Sequence, residues 1–257
     1  MAKKKEPAGP ADREIDEEKQ PLLAHLLAMR NMILYSAIAI LIGFVVCMYF
    51  AADPLLAFIT QPITGRGVQV IYTTVSEALV TKLKVSLLAG VVVASPYVMY
   101  QIWAFVKPAL YENEIRAFRP LFFIALFLFV LGIFFSYYCV YGLAIDFFLV
   151  AGEALAVPML SIDRYVSFLV GFLLPFGVVC EMPVVIYMAA KKGLVGYRTL
   201  AKNRKYVLFG IFVLAAILTP PDVVSQVMLG LPMYVLYEVS VQISRFVGRK
   251  SEEDAEA

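Results

Sequence analysis

The sequence predicts an all-α polytopic membrane protein, and three observations carry that prediction. Apolar residues make up 61% of the 257 and charged residues only 16%, with a mean hydropathy of +0.81, far from the composition of soluble domains. The apolar residues gather into runs near the roughly 20 residues a helix needs to cross the hydrocarbon core. Lys and Arg are distributed unevenly between the segments that join those runs.

In chain order, residues 1–20 (MAKKKEPAGPADREIDEEKQ) are charged and hold no apolar core of the length a secretory signal needs, so they are expected to be a disordered cytosolic tail. A membrane domain follows over 21–246, and 247–257 closes the chain as an acidic cytosolic tail. Four runs are long enough to span: 32–51, 83–106, 120–141 and 165–190. Two shorter ones, 206–218 and 223–243, flank Thr219-Pro220-Pro221-Asp222. Proline removes a backbone donor and forces its predecessor out of helical geometry, so this stretch ends a helix. Asp222 is placed to cap the next one. A single helix of nearly 40 residues would overshoot a bilayer by about 30 Å, so six spans are expected, the last two short. The connecting segments 52–82 and 142–164 contain amphipathic pieces and predict short helices lying on one face.

With both termini inside, 18 of the 22 Lys and Arg fall on the inner side, and only Arg66, Lys82, Lys84 and Arg164 fall outside. That asymmetry predicts a multi-pass protein of the cell inner or plasma membrane with cytoplasmic ends, and puts the 219–222 turn outside. The near-neutral net charge of +2 gives nucleic acid no footprint. One histidine, His25, and scattered acids leave neither a hydrolytic site nor a metal-ligand set, so no enzyme, cofactor or metal is expected. Cys47, Cys139 and Cys180 read as buried small hydrophobes. A secondary solute transporter with an intramembrane carboxylate is the alternative, although no internal repeat joins the two halves.

Some residues stand out against this background. Glu181, in FGVVCEMPVV, lies well inside a span, where a charge costs about 2.5 to 3.5 kcal/mol. It reads either as a protonated acid bonded within the bundle or as a functional polar contact. Glu238, nearer a span end, reads as interfacial. The loop WAFVKPALYENEIRAF (103–118) sets Phe105, Pro108, Leu110 and Tyr111 beside Glu112 and Glu114, on a face where cations are the rule. An acidic, aromatic-lined spot suits a cationic guest, since guanidinium pairs bidentately with carboxylate. A solvated turn with interfacial aromatics is the other reading. The approach to the first span, QPLLAHLLAMRNMIL, carries His25 and Arg30 and by itself is an interfacial anchor.

Taken together, PLLAHLLAMR, YQIWAFVKPALYENE, FSYYCVYGLA, FGVVCEMPV, RKYVLFGIFVLAAILTPPDVVSQ and LPMYVLYE resemble, in this order, the TatC family, the receptor subunit of the twin-arginine protein translocase. The resemblance covers 20–246 and implies a six-helix, glove-shaped bundle. It implies binding of the twin-arginine signal peptides of folded cargo, and assembly in a multi-copy complex with single-span TatA/TatB-type partners in membrane lipid. Export driven by the proton-motive force is the implied activity. It gives Glu114 the role of arginine partner, with Phe105, Pro108, Leu110, Tyr111, Glu112 and Arg30 around it. Glu181 and Tyr137 become an intramembrane polar or partner contact, and Pro62, Glu77 and Asp222 part of an outer face used in assembly. The chain departs from the family at Ala28, where a second glutamate is usual. Either Glu114 and another acid such as Glu112 suffice, or affinity for the arginine pair is lower. It also departs at Gly142, where proline is common, which is expected to loosen the segment after the third span.

Overall fold

The computed structural model describes residues 10–107, 112–152, 159–191, 193–218 and 222–256, and within these the side chains between 25 and 246 except 112–119, 151 and 152. In chain order the elements are α1 (Pro10–Phe50), α2 (Ala52–Thr64), β1 (Gln69–Ile71), α3 (Glu77–Val106) and α4 (Glu112–Phe135). A π-helical turn (Ser136–Tyr141), α5 (Gly142–Gly152), β2 (Met159–Ser161) and α6 (Ile162–Val179) follow. The chain ends with α7 (Met182–Lys191), α8 (Tyr197–Lys202), α9 (Arg204–Leu218) and α10 (Val223–Glu256). Backbone helix thus enters both segments read as tails, 1–20 and 247–257. These segments are rich in Glu, Lys, Arg and Ala, all strong helix formers.

Among the described residues, five stretches are long and apolar enough to cross a membrane: His25–Phe50, Glu77–Val106, Pro120–Val150, Ile162–Lys191 and Val223–Phe246. The sixth expected crossing, 206–218, lies in the 15-residue α9, which reaches only about 22 Å at 1.5 Å per residue. Of the two closing helices expected to be short, α9 is short and α10 is not. Its apolar part runs 24 residues, because Ser244 and Arg245, which look like a stop in the sequence, continue the helix to Phe246 and beyond.

The third span also differs from expectation. It does not stop at Tyr141 but passes through the π-helical turn into α5, with Gly142 in right-handed helical geometry (φ −57°, ψ −48°). A residue with an N–H at 142 keeps the helix going where proline would break it. The fourth span breaks instead, at Cys180–Glu181. Pro183 has no N–H to offer Val179, and the helix restarts as Val184 and Val185 donate to the Glu181 carbonyl, each at 3.0 Å. Cys47 and Cys180 are buried as expected, but Cys139 is exposed, since the π-helical turn rotates it off the packed face.

α6 is the central helix: Val166, Leu169, Phe172 and Phe176 are fully buried, packed with Tyr141, Leu229, Met233 and Val241 in one core. A second, smaller core joins Met99 and Trp103 of α3, Ala125 and Phe129 of α4 and Val184 of α7. α1 lies along α3, and Gly43 and Gly90 let the two backbones touch. A Cβ on Gly90 would sit 2.5 Å from the Phe44 nitrogen, and one on Gly43 would sit 2.8 Å from the Gly90 oxygen. In lipid, such small-residue contacts supply van der Waals packing where no hydrophobic force separates helix from solvent. At one end of the bundle α2 lies as a short helix, as the pattern in 52–82 predicts, whereas the short helix expected in 142–164 continues the third span as α5. There β1 and β2 pair in parallel, Val70 opposite Leu160.

Candidate functional site

The two ends of the bundle are chemically different. At the end that holds α2, α5 and the strands, charges are paired. Arg66 clamps Asp146 with two hydrogen bonds, 2.6 and 3.1 Å, and donates a third to the Pro62 carbonyl at 2.6 Å. Lys82 pairs with Asp53 and Lys84 with Asp163, both at 2.5 Å. Exposed pairs of this kind contribute about 0 to 1 kcal/mol each. Their larger effect here is to neutralise three of the four cations that the sequence places on this side.

Three residues expected to form an outer assembly face have definite structural contacts at this end. Pro62 sits inside α2 and cannot donate to the Phe58 carbonyl; the Tyr137 hydroxyl, from the π-helical turn, donates to that carbonyl at 3.1 Å. Tyr165 does the same for the Ile59 carbonyl at 2.7 Å. Pro62, Tyr137 and Arg66 help to wall a cleft of about 400 Å³. Tyr137→Phe is expected to lower stability by about 1 kcal/mol, the net worth of one such bond. In a Pro62→Ala background the loss shrinks, because the substituted residue regains an N–H for the Phe58 carbonyl. Unfolding titrations of the four proteins in detergent check this cycle.

Glu77, buried at the start of α3, ties three segments together. Its carboxylate accepts from the Thr73 nitrogen at 2.5 Å and hydroxyl at 2.8 Å, from the Thr74 nitrogen at 3.3 Å, from the Ser161 hydroxyl, and from the Asp163 nitrogen at 3.1 Å. It therefore adds a negative charge at the N-terminus of α6, where helix amides lack partners. Asp222 caps α10 as its position suggests: the Ser225 nitrogen donates to it at 2.7 Å and the Ser225 hydroxyl donates to its second oxygen.

The opposite end carries the residues read as a cation site. Phe105, in the last turn of α3, is half-buried, and its ring centroid lies 4.6 Å from that of His25 on α1, the planes tilted by 32°. Pro108, Leu110 and Tyr111 lie outside the described residues. Glu112 and Glu114 belong to the first turn of α4; their backbone is described and their side chains are not. Acids in a first turn face the positive end of the helix dipole. Arg30 is exposed and donates to its neighbour Asn31 at 3.4 Å; no described contact joins it to Phe105.

Between the ends, Glu181 sits at the α6–α7 break. Its Oε1 is buried without a hydrogen-bond partner among the described residues. Tyr137, grouped with it in the sequence reading, is not brought near: it belongs to the π-helical turn and the paired end. The sequence reading also misses a contact. Glu238 accepts from Arg204 at 2.5 Å and from Gln242 at 3.3 Å, so it ties α9 to α10. The signal is present in the spacing, since Arg204 precedes the 219–222 turn by 15 residues and Glu238 follows it by 16, which puts them level in an antiparallel pair.

Residues 24–232 match the family described as Sec-independent protein translocase protein (TatC). The chain belongs to the TatC family. Among its relatives, the Sec-independent protein translocase protein TatC of Carboxydothermus hydrogenoformans is 40% identical over 92% of this chain and 97% of its own length. That of Escherichia coli is 38% identical over 92% of this chain and 94% of its own. A solved structure described as the crystal structure of twin arginine translocase receptor TatC superposes with a TM-score of 0.82 at 38% identity, over 87% of this chain and 99% of that one. As a TatC-family protein the chain is an integral membrane component of a protein translocase, and the family is not one of catalytic enzymes.

Proposed function

We propose that this chain is the signal-peptide receptor of a twin-arginine translocase, reading paired arginines at the end formed by His25, Phe105 and the first turn of α4. The observation that carries the reading is the likeness to a solved twin-arginine translocase receptor over nearly the whole chain. Local chemistry supports it. Glu112 and Glu114, a few residues along the chain from Phe105, offer carboxylates to guanidinium groups, on the side where Lys and Arg otherwise prevail. That side is cytoplasmic in this reading, and the ion-paired end faces outward. Single-span TatA/TatB-type proteins are the partners, assembled with several copies of this chain, and the proton-motive force drives transport. Glu181, Pro62, Glu77, Tyr137 and Asp222 serve that assembly directly or by holding its surface in shape.

The test is export in a strain that lacks its own TatC protein. With this chain and its matching single-span partners restored, a folded reporter with a twin-arginine signal is expected outside the cytoplasm, and the same reporter with twin lysines inside. Failure to export either, with solute accumulating in vesicles that contain this chain alone, contradicts the proposal and favours a carrier built on Glu181.

A further inference from the structure

His25 stands at the arginine-reading end with a ring contact of its own. It lies on α1, and Phe105 lies on α3, yet their rings meet at 4.6 Å and 32°. His25 is exposed and Phe105 half-buried, so the pair presents a ring surface to the outside instead of closing into a core. Side chains three and four residues along a helix share a face, and the positions one turn further along α1 that share His25's face are Ala28 and Met29. From His25 to Met29 the sequence is His-Leu-Leu-Ala-Met, with no carboxylate. On this stretch of α1 a guanidinium finds no anion, and the π surface of His25 and Phe105 is what remains to hold it.

We infer that His25 and Phe105 form a stacking platform for one guanidinium of the signal peptide, while the acidic turn of α4 holds the other. The inference rests on the proposed reading of this end as the arginine site. A planar, weakly hydrated guanidinium stacks on aromatic faces, whereas the compact ammonium of lysine is strongly hydrated and lacks a plane to stack. The platform therefore contributes selectivity for arginine over lysine as well as affinity. It divides the labour by chemistry: α4 supplies charge, which any cation answers, and the two rings supply shape, which arginine answers.

The experiment measures binding of the full chain, purified in detergent, to a synthetic signal peptide with two adjacent arginines and to its twin-lysine counterpart. His25→Leu keeps an apolar contact with Phe105 but removes the π face; His25→Phe keeps the ring. His25→Leu is expected to weaken arginine-peptide binding about three- to fivefold, the range of an exposed cation–π contact, and to leave lysine-peptide binding unchanged. His25→Phe is expected to bind both peptides as the unaltered chain does. Phe105→Leu, a second and independent substitution, is expected to narrow the arginine-to-lysine ratio in the same way. Undiminished arginine binding by His25→Leu, or equal losses for both peptides, overturns the inference and leaves His25 as packing between α1 and α3. A different result marks failure of the underlying reading: the unaltered chain binds neither peptide, or Glu114→Ala binds the arginine peptide normally.

Discussion

Glu114→Ala is expected to abolish capture of a twin-arginine signal peptide by the purified chain. A guanidinium that loses its hydrogen-bonded carboxylate partner loses on the order of 30-fold or more in affinity. The loss falls mainly on the dissociation rate, since the partner is removed from a formed contact and not from a steering field. Glu112→Ala removes a charge two residues earlier in the chain and is expected to act more weakly. Titration of a fluorescent peptide against each folded variant checks both. Because Glu114 lies in the first turn of α4, its removal also takes a favourable charge from a helix N-terminus, worth about 0.3 to 1 kcal/mol. Thermal unfolding without peptide separates the two effects, since only the loss at the helix terminus registers there. Binding that survives with the alanine in a folded protein removes Glu114 from the site.

The second large effect is structural and falls at the other end. Glu77→Ala is expected to lower the melting temperature by on the order of 5 °C, more than any single ion-pair deletion nearby. Its carboxylate receives hydrogen bonds from Thr73, Thr74, Ser161 and Asp163, and donors left unsatisfied in a buried place are penalised more than the bond itself was worth. Lys84→Ala, by contrast, breaks a partly exposed pair with Asp163 and is expected to shift the melting temperature by little. Hydrogen exchange adds a local readout. The amides of Asp163 and Arg164, at the start of α6, are expected to lose protection in Glu77→Ala and keep it in Lys84→Ala. Equal melting temperatures for Glu77→Ala and the unaltered chain contradict the role given to this residue.

What the sequence makes legible follows the reach of the physics involved. Local chemistry reads well. Apolar runs mark where helices cross, because burial in lipid demands them. The Thr219-Pro220-Pro221-Asp222 break separates α9 from α10, and Asp222 caps the latter, because a proline pair and a short acid act within four residues. Contacts between distant segments read poorly. Nothing near Glu77 in the chain points to Ser161 or Asp163, 84 and 86 residues away. The hydrogen bond of Tyr137 to Phe58 is traceable only once Pro62 is seen to orphan that carbonyl. Element ends read poorly where a residue looks like a stop and is not one: α10 runs through Ser244 and Arg245, and the third span runs through a π-helical turn into Gly142. Of the cation site, the acids and aromatics are visible as a cluster in one loop, whereas the ring contact between His25 and Phe105 joins two distant helices and needs the fold.

The account's central claim is that paired arginines are read at the end where His25 of α1 meets Phe105 of α3. A photoreactive amino acid at position 28, exposed and one turn from His25, tests it most directly, with the same group at Tyr72, 68% exposed at the ion-paired end, as the comparison. The account predicts that position 28 crosslinks to a twin-arginine signal peptide, that the twin-lysine peptide gives little product there, and that position 72 gives none with either. Equal crosslinking of both peptides at position 28, or product from position 72 alone, would contradict it.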